Sequence, residues 1–131
     1  MLILSTQSRC YIAIAALFGA TAVMLGAYAS HGMSAWASTA QISQVQLAAQ
    51  YQLFHAISLL LVSLLSVVYA SRLLSAALIC FSLGIICFSG SLYFLALLGS
   101  KALVLVTPLG GLLLICAWLL VAVAMLIKPK K

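Results

Sequence analysis

Long apolar stretches separated by short polar breaks make up most of the chain. Four such stretches run over about residues 10–29, 46–70, 73–98 and 107–127. Each has roughly the 20 residues that a helix needs to cross about 30 Å of hydrocarbon. None shows the short alternating segments that are typical of a membrane β-strand. The pattern therefore predicts an all-α fold, a four-helix transmembrane bundle formed by a single integral membrane domain over residues 1–131.

The polar breaks predict where the helices begin and end. Residues 30–45 are rich in Ser, Ala and Gln, and we interpret them as a loop with a short helical lead-in at the membrane surface. Trp36 in this segment would suit the headgroup zone. Thr107 and Pro108 resemble an N-cap followed by proline at the first helical position, which predicts the start of the fourth helix.

The first apolar run has two interpretations. Ala27-Tyr28-Ala29 fits the small-x-small site of a cleaved secretory signal. The run is, however, longer than the roughly 7–15 apolar residues of a signal peptide. It also carries small residues on one helix face, where another helix can approach closely. We therefore expect a retained helix.

Small residues also recur in the later runs and predict close helix packing. The positions that we expect at helix contacts are Ala15, Gly19, Ala22, Gly26, Gly84, Gly90, Gly110 and Gly111.

Composition supports a membrane protein and removes several chemistries. The chain is 67% hydrophobic and 5% charged, and it contains no Asp or Glu. Without side-chain carboxylates there is no Ser-His-Asp triad, no carboxylate pair for hydrolysis and no acidic calcium site. Four cysteines lie in or beside apolar runs with no CxxC pair, as expected of core residues. We expect no enzyme activity, no cofactor and no metal site.

The cations predict the orientation in the membrane. Five of the six would lie on one side of a four-span protein, namely Arg9, Arg72, Lys128, Lys130 and Lys131, whereas Lys101 lies alone on the other. The positive-inside rule then places both termini in the cytoplasm. Because these cations sit at helix ends, we relate the net charge of +6 to topology and anionic lipids, and expect no nucleic acid as a partner.

Polar side chains within the predicted spans are the candidate chemistry. From the predicted start of the second helix, His55 should lie about 8 Å inside the outer membrane surface. The other candidates map to the same outer half of the bundle. Together they form a predicted polar cluster of His31, Gln52, His55, Ser89, Ser91, Tyr93 and Thr107. Such residues either bond helices together or mark a functional site, and both interpretations stay open here.

Four motifs in order carry a resemblance over nearly the whole chain. They are Gly26-Ala-Tyr-Ala-Ser-His-Gly32, Tyr51-Gln-Leu-Phe-His-Ala56, Phe88-Ser-Gly-Ser-Leu-Tyr93 and Thr107-Pro-Leu-Gly-Gly111. With them the chain resembles the YgdD-like family of small bacterial inner-membrane proteins, which are related to transmembrane protein 256 of eukaryotes. The resemblance implies four helices, with the first uncleaved, in the bacterial inner (plasma) membrane. It implies no established activity.

Two functions of different class remain. The first is a helical membrane scaffold or accessory subunit, whose partners would be the lipid bilayer and either further copies of the chain or another membrane protein. The alternative is a small oligomeric transporter or channel that uses the predicted polar cluster as a binding site. There the N-terminus of the fourth helix would favour an anion.

Overall fold

Four long helices form the chain, as the hydrophobic pattern predicts. A computed structural model describes residues 4–127, and within that range it contains no strand. The helices are α1 (Thr6–His31), α2 (Thr39–Val68), α3 (Arg72–Leu98) and α4 (Val106–Leu126), with 3-10 turns at Met33–Ala35 and Lys101–Leu103. All four are long and apolar enough to cross a membrane. The predicted four-helix transmembrane bundle is thereby confirmed.

Serine side chains begin the first three helices. The hydroxyl of Ser5 accepts a hydrogen bond from Ser8 N, and that of Ser71 accepts one from Leu73 N. Ser38 and Gln41 form a reciprocal capping box at the start of α2. The loop predicted over residues 30–45 is therefore shorter than expected, because α1 continues to His31 and the serine cap starts α2 at Thr39. The predicted helical lead-in before the second apolar run is part of α2 itself.

The start of α4 also differs from the prediction. The helix begins at Val106, and its N-cap Leu105 makes no side-chain cap. Thr107 therefore lies in the first turn and is not the N-cap. Its hydroxyl instead lies 2.7 Å from Ser91 Oγ on α3. Pro108 is tolerated there because the first turn of a helix does not need its N–H groups.

Each helix packs mainly against its neighbours in sequence. Among the described residues, α2 contacts α1 and α3, α3 contacts α2 and α4, and α1 and α4 make no comparable contact. The hydroxyl of Tyr69, at the end of α2, donates to Ala124 O and Ile127 O at 3.2 and 3.1 Å, so these two helices finish at the same end of the bundle. The predicted cytoplasmic lysines, Lys128, Lys130 and Lys131, lie outside the described residues.

Glycines bring α3 and α4 into close contact. A Cβ atom placed on Gly84 would lie 2.9 Å from Leu114 Cγ, and one on Gly110 would lie 2.7 Å from the backbone Cα of Phe88. At Gly110 the atom met is backbone, so the two helices approach there to a spacing that only glycine permits. At Gly84 the atom belongs to the Leu114 side chain, which packs directly on the glycine. Gly111 differs, because a Cβ there would meet the Phe88 ring at an ordinary 3.8 Å.

The other small residues divide between covered and free surfaces. On α1, Ala15 and Ala22 are buried, and a Cβ on Gly26 would lie 3.6 Å from Ala49 Cβ on α2. Gly19 and Gly90 face open space, with no atom within 4 Å of such a Cβ.

We expect Gly110→Ala to destabilise the bundle by about 1–3 kcal/mol, because the new methyl group meets backbone that cannot move aside. The matched control is Gly111→Ala, one residue further on, which should unfold at or slightly above the parent temperature. Thermal unfolding of both variants in one detergent tests this. Equal stability of the two variants would contradict the close approach of α3 and α4.

Candidate functional site

The side chain of Gln52 connects three helices. Its Nε2 donates to Phe18 O at 2.8 Å and to Thr21 Oγ1 at 2.7 Å, both on α1. Its Oε1 accepts a hydrogen bond of 2.8 Å from the hydroxyl of Tyr93 on α3. Gln52 is 5% exposed, so lipid and water compete little for these bonds. The amide therefore acts as a junction between α1, α2 and α3.

Two further hydrogen bonds join neighbouring helices nearer the α3–α4 turn. Ser89 Oγ donates to Ala48 O on α2 at 2.8 Å. Ser91 Oγ donates to Phe88 O at 3.0 Å and shares a 2.7 Å bond with the Thr107 hydroxyl on α4. No buried side-chain nitrogen or oxygen in residues 4–127 lacks a partner. Five members of the predicted polar cluster thus take part in separate contacts between helices, namely Gln52, Ser89, Ser91, Tyr93 and Thr107.

His55 lies deeper than the sequence indicates. Since α2 begins at Thr39, His55 is about 24 Å along the helix at roughly 1.5 Å per residue. The contacts with α3 show how far along the bundle His55 lies. Gln41, at the start of α2, donates to Ala96 O near the end of α3. The His55 ring instead lies 6.0 Å from the Phe81 ring, measured between centroids. Phe81 is near the middle of α3. His55 therefore belongs to the middle of the bundle and not to the end at which α2 begins.

Aromatic side chains surround His55. Its ring stacks on Tyr51 at 5.9 Å and meets Trp118 of α4 edge-on at 6.4 Å. Tyr51 in turn packs on Phe88 at 4.7 Å. A cavity of about 300 Å³ lies between α2, α3 and α4 at this point. It is lined by Tyr51, His55, Phe88, Gly111, Leu114, Ile115 and Trp118.

His31 lies apart from His55. It closes α1 and lines a shallow groove between α1 and α2 together with Ser30 and Gln46. No group of three His, Cys, Asp or Glu within residues 4–127 could hold a metal ion. The structure thus places the two histidines in different parts of the bundle.

The sequence did not point to several residues that complete these contacts. Thr21 bonds Gln52 from α1, and Trp118 faces His55 from α4. Both lie inside apolar runs, where neither spacing nor local composition distinguishes them. A further polar cavity of about 430 Å³, lined by serines of α1, α2 and α3 and by Arg72, lies at the end of the bundle that carries the Tyr69 contact. Ser5 and Ser8 precede the first apolar run, whereas Ser66, Ser71 and Ser75 lie around the break between the second and third runs, so only folding brings them together.

Known proteins of similar sequence are membrane proteins. The family described as "Protein of unknown function (DUF423)" matches residues 25–111. A UPF0382 membrane protein of Haemophilus influenzae is 37% identical over 112 residues, which is 86% of this chain and 90% of that protein. The UPF0382 inner membrane protein YgdD of Escherichia coli is 31% identical over 124 residues, or 95% of each chain. No solved structure matches this chain.

We expect Gln52→Leu to lower the free energy of unfolding, because it removes three interhelical bonds and leaves the Tyr93 hydroxyl unpartnered in an apolar interior. Bonds of this kind are worth about 0.6 kcal/mol on average and up to about 1.7, so the loss should reach roughly 2 kcal/mol. Unfolding in mixed micelles measures it. The exposed Gln50→Leu is the control and should leave stability unchanged, whereas equal effects at positions 50 and 52 would contradict the junction.

Proposed function

Because this chain belongs to the UPF0382 (DUF423) family of small multi-pass membrane proteins of the bacterial inner membrane, we propose that it acts as a helical scaffold or accessory subunit. The family membership confirms the resemblance carried by the four sequence motifs. No activity is defined for its relatives, so the proposal rests on the surfaces of the bundle.

The exposed side of α1 is the observation that carries the proposal. In the most apolar 18-residue stretch of this helix 11% of the residues are buried, compared with 39% in the corresponding stretch of α3. The side turned away from the bundle nevertheless presents four exposed alanines, Ala13, Ala16, Ala20 and Ala27, which we call the small-residue face. The larger exposed side chains of Leu17, Val23 and Met24 border it. Small residues give no advantage against lipid, but they allow a second helix to approach closely. This face therefore suits contact with a helix of another protein or of a second copy.

The interior supports the same function. Its polar groups bond one another and the backbone, with Gln52 as the central member, so they serve to hold helices together. A transporter or channel would need polar groups left free along a path. The alternative of a small oligomeric transporter has less support, because five members of the cluster proposed as its binding site, all but the two histidines, are bonded in separate contacts within the bundle.

The contacts of the serines also favour a role without catalysis. Ser89 donates to a carbonyl of α2, and Ser91 pairs with Thr107. Neither hydroxyl bonds His55, whose Nδ1 is occupied by the carbonyl of Tyr51. A nucleophile would need a base within hydrogen-bond reach, and this arrangement provides none for either serine.

The test is association at native abundance. We expect the tagged protein to co-purify with a partner, or with itself, in mild detergent, and Ala20→Leu to reduce this at least tenfold, because the larger side chain blocks the small-residue face. Ala122→Leu is the control, since it makes the same change on the exposed surface of α4. Both variants should keep the parent unfolding temperature. A protein that runs alone, or an equal loss in both variants, would contradict the proposal.

A further inference from the structure

His55 has one ring nitrogen without a partner. Nδ1 lies 2.7 Å from Tyr51 O, and since a carbonyl oxygen can only accept, Nδ1 carries the proton. In the neutral ring Nε2 is then an acceptor. It makes no hydrogen bond within the described residues, and it is accessible, because no unpartnered side-chain nitrogen or oxygen there is buried.

This free acceptor lies where water is scarce. His55 is at the level of the middle of α3, and the chain has no carboxylate side chain that could accompany it. A polar group at such depth is expensive to keep and is a functional candidate by default. The buried Gln52, Ser89 and Ser91 bond within the protein, whereas His55 has a hydrogen bond to offer.

The space next to His55 suits a single ring. The cavity of about 300 Å³ has Tyr51, Phe88 and Trp118 among its walls, and it lies at the lower limit of roughly 300–1,000 Å³ for ligand pockets. A second cavity of about 540 Å³ also borders Tyr51, His55 and Trp118 and continues past Phe54 and Ile57. Phe54 and Trp118 are 60% and 50% exposed, so the site opens sideways towards lipid.

Tyr51 offers a second polar contact. Its ring borders both cavities, and among the described residues its hydroxyl makes no hydrogen bond, whereas the hydroxyls of Tyr69 and Tyr93 are bonded across helices. The two residues next to the same cavities therefore each have a hydrogen bond to offer.

We propose that the cleft formed by these two cavities beside His55 binds the headgroup of a lipid-soluble hydroquinone. One hydroxyl group of this headgroup donates a hydrogen bond to His55 Nε2. The ring packs against the aromatic walls, where offset and edge-on contacts stabilise it. The apolar tail leaves through the lateral opening past Phe54 into the membrane. This binding does not depend on the scaffold function, because the small-residue face of α1 takes no part in it.

Trp118 reports the binding. The chain has two tryptophans, so Trp36→Phe leaves Trp118 as the only emitter. The purified variant, in nanodiscs and without oxygen, is titrated with a decyl-tailed hydroquinone and with its dimethyl ether, which lacks both donors. We expect a saturable change in emission with the hydroquinone and at least about tenfold weaker binding of the ether, as the loss of hydrogen bonds predicts. Equal responses to the two compounds would overturn the proposal.

Three variants in the same background locate the site. His55→Leu removes the acceptor and should weaken hydroquinone binding about tenfold, whereas His55→Gln keeps an acceptor oxygen and should recover most of it. Gly111→Leu fills the cavity at a position where a Cβ makes ordinary contact, and it should abolish saturation. Unchanged binding in His55→Leu would overturn the assignment. The comparison of the two compounds needs no substitution at the site, so it decides the proposal even where a variant fails to fold.

Discussion

The amide of Gln52 holds together three helices in surroundings where no solvent replaces its hydrogen bonds. In water, apolar burial would pack these helices, but lipid tails are as apolar as leucine side chains and give little drive for association. Close contact and interhelical hydrogen bonds must do this work instead. Gln52 joins α2 to α1 and α3 through both ends of one side chain, and the paired hydroxyls of Ser91 and Thr107 join α3 to α4.

Close packing at glycines also holds the helices together. At Gly110 the backbones of α3 and α4 approach so closely that a methyl group would not fit, and at Gly84 the Leu114 side chain packs directly on the glycine. Dispersion contacts are individually weak but accumulate over such a surface. The helix at the opposite edge of the chain behaves differently, since α1 is held mainly by α2 and shows its small-residue face to the membrane.

The absence of acidic side chains gives the polar residues their character. Every buried hydrogen bond between helices is made by amides, hydroxyls and carbonyls, so the interior stays electrically neutral and avoids the cost of a charge in hydrocarbon. His55 is the exception, because its imidazole is an ionisable group and one of its ring nitrogens has no partner among the described residues. Its Nδ1 is bonded to the carbonyl of Tyr51 in the preceding turn of α2, and its ring borders a cavity with aromatic walls.

The sequence by itself determined the class, the membrane location and the number of helices, because a span of about 20 apolar residues has few other structures available. It also indicated the polar residues, but not their depths. The serine cap at residue 38 lengthens α2 and moves His55 to mid-bundle, and local caps of this kind are weak signals beside a long apolar run. Only the tertiary structure decided which groups meet, as with Thr21 and Gln52 or Trp118 and His55. Those contacts depend on how helices rotate and slide against each other, and side chains from distant parts of the chain fix that jointly.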